Sequence, residues 1–147
     1  MMRRAATFAL ALLVSSAVTA CSGSSSSGGS LGSVTAAAAA PAKGATLDAA
    51  AFAAALQRPG TVVLDVRTAA EFADGHLPAA INVDVNAADF STKVGALDKN
   101  VPYAVYCRSG NRSATALRVM EGLGFTGAYH LGGGIGAWTA AGGPTTK

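Results

Sequence analysis

The sequence predicts an α/β/α sandwich built on a parallel sheet. Two observations carry that prediction. Short, almost wholly apolar runs recur along the chain, the pattern of strands covered on both faces. Between them lie stretches with helix-start and helix-stop signals, so strands and helices alternate. No internal repeat appears, so a single unit is expected.

The elements follow in order. Thr46 is read as the cap of a helix running to about Gln57, with Leu47, Phe52 and Leu56 as its apolar positions. Pro59-Gly60 turns the chain. Residues 61–66 are β-branched and nearly all apolar, a strand. Thr68-Ala69-Ala70-Glu71 has the capping-box spacing and starts a short helix. Residues 81–85 read as a second strand and residues 88–97 as a helix. Residues 102–106 form a third strand, and a helix is expected over 113–123 with Gly124 as its left-handed stop. Residues 128–131 form the last strand, and Gly132-Gly133-Gly134 leads to a short helix carrying Trp138, a core residue.

The chemistry concentrates where the third strand ends. Cys107-Arg108-Ser109-Gly110-Asn111-Arg112-Ser113 places one cysteine in a tight loop just before a helix. Such a loop can aim several backbone N–H groups at one point, beside the positive end of a helix dipole. Arg108 and Arg112 add fixed positive charge. All of this favours thiolate over thiol, so the pKa of Cys107 is expected below the free value of about 8.5. The pattern is that of a nucleophile in an anion cradle.

These residues resemble the active-site loop of rhodanese-type sulfurtransferases. Val63-Leu64-Asp65-Val66-Arg67, with Glu71-Phe72 and Gly75-His76-Leu77-Pro78-Ala79-Ala80-Ile81-Asn82, resembles the N-terminal signature of that family. Leu131-Gly132-Gly133-Gly134, Trp138 and Gly142-Gly143-Pro144 resemble its C-terminal signature. Phosphatases related by fold use Cys-x5-Arg, a larger loop that wraps a tetrahedral phosphate. Here Cys107 to Arg112 is Cys-x4-Arg, which in the family goes with attack on sulfane sulfur. The resemblance implies a three-layer rhodanese-like domain over residues 46–147 with a central, mostly parallel five-stranded sheet. It implies that Cys107 takes sulfur from a thiosulfate-like donor and passes it to a thiol, cyanide or a protein cysteine. No cofactor or metal is implied, because the cysteine carries the sulfur itself. The rival reading is a non-catalytic rhodanese-like module that presents a persulfide or a peptide surface.

Each neighbour of Cys107 has two readings. Arg108, Ser109, Gly110, Asn111, Arg112 and Ser113 are candidate substrate-binding residues of the loop. Arg112 either holds the sulfonate oxygens of the donor or packs across the rim to fix the loop. Arg108 either steers anions or is simply solvated. Ser113 reads as a helix cap before a catalytic hydroxyl. Asp65 and Arg67 lie at the C-terminal end of a strand, where α/β proteins place their sites, and are read as structural support. Arg67 is expected to pair with Glu71 or Asp74 rather than leave Asp65 as a catalytic carboxylate. His76 reads as structural rather than as the base of a Cys–His dyad, and His130 as strand packing. The two histidines and the free cysteine have no metal-site spacing.

Formal net charge is +3 over 147 residues. From residue 46 onward eight Lys/Arg balance eight Asp/Glu, so the basic excess gives no warrant for nucleic-acid binding. A monomer is expected. The excess sits at the start: Met1-Met2-Arg3-Arg4 precedes an apolar stretch over residues 5–17, too short for a comfortable span. Val18-Thr19-Ala20-Cys21 resembles the lipobox of bacterial lipoproteins, an ordinary secretory signal being the alternative. On the lipobox reading, residues 1–20 are a signal peptide and Cys21 is lipidated. The protein is then anchored to a membrane of the bacterial envelope on its extracytoplasmic side. Residues 21–45, rich in Ser, Gly and Ala, form a flexible linker of about 27 Å typical reach.

Overall fold

A computed structural model describes residues 39–147. The expected signal peptide, the expected lipidation site Cys21 and most of the expected linker lie outside the described residues. Five strands, β1 (Thr46–Leu47), β2 (Val62–Asp65), β3 (Ile81–Asn82), β4 (Pro102–Tyr106) and β5 (Gly127–Leu131), form one sheet in the order β1-β5-β4-β2-β3. All four pairings are parallel. Between and after them come α1 (Ala49–Leu56), α2 (Ala69–Asp74), α3 (Phe90–Gly95), α4 (Asn111–Gly122) and α5 (Gly134–Ala140).

Strands β2, β4 and β5 divide their side chains between two cores with the period of two that a pleat imposes. Leu64, Tyr103, Val105 and Ala128 join Phe90, Val94, Ala116, Met120 and Phe125 on the side of α3 and α4. Val63, Ala104, Tyr106, Tyr129 and Leu131 join Phe52 and Trp138 on the side of α1 and α5. Trp138 is buried there, edge-on to Phe52 at 6.1 Å, and its Nε1–H donates to the Pro144 carbonyl at 2.9 Å.

Four sequence expectations need correction. Thr46 does not cap α1. It belongs to edge strand β1, and Asp48 is the cap, accepting the Ala51 N–H at 2.8 Å. The second strand is shorter than 81–85, because the chain peels away after Asn82. Val83 and Val85 still donate to the carbonyls of Asp65 and Val66, and an Asx turn at Asp84 then redirects the backbone. The helix expected over 88–97 is confined to Phe90–Gly95. The helix after the cysteine loop starts at Asn111 rather than at Ser113, so Ser113 lies inside its first turn. The predicted capping box is present: Thr68 Oγ1 accepts the Glu71 N–H, and the Glu71 carboxylate accepts the Thr68 N–H. Gly124 has φ +89° just past α4, the left-handed stop that was expected.

Candidate active site

Strand β4 is central, so its end delivers Cys107 to the middle of the C-terminal edge of the sheet. The residue is fully buried. The chain then reverses through Arg108-Ser109-Gly110 into α4, and Gly110 takes φ +99°. An L side chain is disfavoured in that conformation, and a Cβ there would meet the Gly133 nitrogen at 3.2 Å. The turn brings the Gly110 N–H to 3.1 Å from Cys107 Sγ.

The glycine run holds this loop from behind. The N–H of Ile135 donates to the Cys107 carbonyl at 2.8 Å, and the N–H of Gly136 to the Arg108 carbonyl at 3.4 Å. With those carbonyls engaged by the start of α5, the loop N–H groups are left to face the sulfur. Gly134, at φ +60°, lies so close that a Cβ would overlap the Cys107 carbonyl and lie 2.6 Å from the Arg108 oxygen. The sequence reading had Gly132–Gly134 only as the lead into a short helix; its role as a clamp on the cysteine loop went unseen, although three consecutive glycines signal a close approach of backbone.

Burial pushes the Cys107 thiol up. The Ser113 hydroxyl and the N–H groups of Ser113, Ser109 and Gly110 outweigh it, and the pKa falls below the ordinary value. Ser113 is fully buried inside the first turn of α4, where its hydroxyl donates to the Gly110 carbonyl at 2.9 Å and is among the groups that lower the Cys107 pKa, rather than capping the helix.

The two loop arginines differ. The Arg112 guanidinium forks onto Glu71, with both N···O distances 2.7 Å. That contact ties the loop to α2, and it holds the Glu71 carboxyl down at about 2. Arg112 therefore braces the rim. Arg108 is exposed and makes no ion pair among the described residues. It lines a cleft of about 390 Å³ with Arg67, Glu71, Gly75, Gly136 and Thr139. Cys107 lies beneath the loop and does not line that cleft. Ser109 and Asn111 are exposed on the loop.

Arg67 does not pair with Glu71 or Asp74, as the sequence suggested. It grips Asp65, two residues before it, through Nε at 2.9–3.0 Å and Nη2 at 2.6 Å, and Nη2 also donates to the Gly75 carbonyl at 2.7 Å. Burial lowers the Arg67 pKa, but the bonds and charge of Asp65 overcome it and the net shift is upward. Asp65 is fully buried in this pair, and Arg67 rather than Asp65 lines the cleft. His76 stacks on Phe72 at 3.7 Å, bonds the Phe72 carbonyl through Nδ1, and bridges in antiparallel fashion to Thr146. No hydrogen bond joins it to Cys107 among the described residues.

His130, read from sequence as packing, is the residue that reading missed. It is buried, and its ring reaches Ser113 Oγ through Nδ1 at 2.9 Å and Thr46 Oγ1 through Nε2 at 2.8 Å.

Comparison with known proteins agrees with this architecture. A family model described as "Rhodanese-like domain" matches residues 48–141. Among curated proteins, the chain is similar to the thiosulfate sulfurtransferase GlpE of Pseudomonas fluorescens, with 40% identity over 87 residues that cover 58% of this chain and 77% of that one. The same-named protein of Pseudomonas savastanoi pv. phaseolicola is 39% identical over 89 residues, covering 60% and 81%. Among solved structures, a rhodanese-related protein of Thermoplasma volcanium superposes with a TM-score of 0.62 at 30% identity, over 69% of this chain and 97% of that one.

Proposed function

Because the chain belongs to the rhodanese-like domain family, we propose that it is a sulfurtransferase carrying sulfane sulfur on Cys107 as a persulfide. The observation that carries this reading is the donor set around the sulfur: the amides of Ser109, Gly110 and Ser113 and the Ser113 hydroxyl, all lowering the thiol pKa. A thiolate needs such donors, and the terminal sulfur of a persulfide anion needs them equally.

The reaction has two displacements. The Cys107 thiolate attacks the outer sulfur of thiosulfate; the donor S–S bond breaks and its electron pair leaves on sulfite. The new Cys107 persulfide is anionic and rests in the cradle. A nucleophilic acceptor then attacks the terminal sulfur, the persulfide S–S bond breaks, and the thiolate returns. With cyanide the product is thiocyanate; a small thiol or a protein cysteine accepts in the same way. This reading needs no external base, since the surroundings of the nucleophile lower its pKa and favour the thiolate. Arg108, which is exposed, lines the cleft and has no ion pair among the described residues, receives the anionic end of the donor, while Arg112 keeps the rim in place through Glu71.

The protein acts as a monomer: among the described residues only Ile81, 40% exposed, presents a large apolar side chain to solvent. Cys21 is the lipid attachment site, and the domain is tethered outside the cytoplasm. The basic start, the short apolar stretch and Val18-Thr19-Ala20-Cys21 support that reading. Purified protein lacking residues 1–21, assayed with thiosulfate and cyanide, tests the function. Thiocyanate release that disappears in Cys107→Ser is the expected result, and release that survives in Cys107→Ser overturns it.

A further inference from the structure

His130 lies on β5, whose register sets it opposite Thr46 of β1. Its neighbour Ala128, two residues earlier, packs on the α4 side of the sheet, so His130 faces α4 and meets Ser113 there. The ring is 6% exposed, and both of its nitrogens have one partner: Ser113 Oγ for Nδ1 and Thr46 Oγ1 for Nε2. No ion pair reaches the ring among the described residues. Burial lowers its pKa and so favours the neutral imidazole, which has one proton to place.

Where that proton sits decides what Ser113 can do. The Ser113 hydroxyl has one hydrogen. If Nδ1 lacks a proton, it takes that hydrogen and the hydroxyl has nothing left for the sulfur. If Nδ1 carries the proton, it donates to Oγ, and the hydroxyl hydrogen is released toward the loop. The Ser113 hydroxyl donates to the Gly110 carbonyl at 2.9 Å, and that carbonyl keeps a second donor, the Ala114 N–H at 3.0 Å, when the hydroxyl leaves it. The hydroxyl can therefore turn from that carbonyl to Cys107 Sγ when the sulfur becomes anionic. Thr46 Oγ1 lies 2.8 Å from Nε2, and with the Thr46 hydroxyl donating there the ring is held in the tautomer that permits this.

We propose that His130 is a positioning residue for sulfur transfer: its Nδ1–H, held in place by Thr46 on Nε2, commits the Ser113 hydroxyl to the sulfur of Cys107. This rests on the Cys107 chemistry proposed above. No atom of His130 touches the reacting sulfur.

Two measurements test it. Nitrogen NMR of the wild-type ring reports the tautomer without any substitution. Protonated Nδ1 and unprotonated Nε2 are expected; the reverse tautomer overturns the proposal. The second is the pH dependence of Cys107 alkylation in His130→Leu and His130→Asn, each with and without Ser113→Ala. Loss of a hydrogen bond to a charged group should move the His130→Leu midpoint upward by about one pH unit. Persulfide formation should slow about tenfold through kcat, with KM for thiosulfate little changed. Asn can place an amide donor near the Nδ1 position, so His130→Asn should keep most of the wild-type behaviour. In the Ser113→Ala background, His130→Leu should add nothing. A folded His130→Leu with an unaltered midpoint, or an equal shift in both backgrounds, contradicts the relay. If His130→Leu does not fold, the wild-type tautomer still decides. A shifted alkylation midpoint with no sulfur uptake from thiosulfate would sink the sulfurtransferase reading and leave the relay standing.

Discussion

Burial alone would leave Cys107 a protonated thiol, so its reactivity depends on a few short contacts that outweigh desolvation. Alkylation should accordingly follow a midpoint below the free-thiol value of about 8.5. His76→Ala should not move that midpoint, since the His76 ring is engaged by Phe72 and the backbone of residue 76 by Thr146; a large shift would restore the dyad reading. Glu71 offers a separate test. Its folded pKa of about 2 lies below the ordinary 4.5 because Arg112 favours the charged form. The stability it contributes is complete above about pH 4.5 and is lost as pH falls toward about 2. The pair is half-buried, so the amount is roughly 1–2 kcal/mol once solvent screening is allowed for. Glu71→Gln should lower the melting temperature near neutral pH and flatten its fall in acid. An unchanged acid profile would mean that the Glu71–Arg112 contact contributes nothing to the rim. Cys107, with its loop, was legible from sequence because a lone cysteine before two arginines, a glycine and a helix has few other uses. The partners of Arg67 and Arg112 were not legible. Asp65, Glu71 and Asp74 all lie within reach of Arg67 along the chain, and only the packing of α2 against the loop assigns Glu71 to Arg112.

At the scale of elements, the site is a meeting of β4, the start of α4 and the start of α5. The N–H groups of Ile135 and Gly136 hold the loop carbonyls, and Gly134 permits the approach. Gly134→Ala adds a methyl where there is no room and strains a left-handed backbone. A loss of more than about 2 kcal/mol of stability is expected, with a larger fall in turnover than in the stability of the distant α3–α4 core. Thermal melts and turnover on the same sample check this, and an active, wild-type-stable Gly134→Ala would remove α5 from the account. Most elements were readable: β2, β4 and β5 are apolar runs, and α2 carries a complete capping box. Strand β1 was not, because two residues are too few to show alternation, and Thr46 before an alanine-rich helix imitates a cap. The same oversight hid His130. A single histidine in a buried strand reads as packing until the β1–β5 register sets Thr46 opposite it.

For the whole molecule, two cores on opposite faces of one parallel sheet make a rigid block, and all the chemistry sits at the carboxyl edge of its central strands. The proposed anchor is separated from that block by the Ser/Gly-rich segment, so attachment and catalysis should be separable. Cys21→Ser should abolish membrane partition of the full-length protein while leaving thiocyanate release unchanged. Wild-type protein found soluble with Cys21 unmodified would overturn the lipid anchor. The central claim is that sulfur travels on Cys107, and intact mass spectrometry reads it directly. Protein lacking residues 1–21, treated with thiosulfate and freed of excess reagent, should gain one sulfur atom on Cys107 and lose it again on addition of cyanide, while Cys107→Ser gains none. Wild-type protein that turns over thiosulfate without gaining that sulfur, or a Cys107→Ser variant that gains it, would contradict the account.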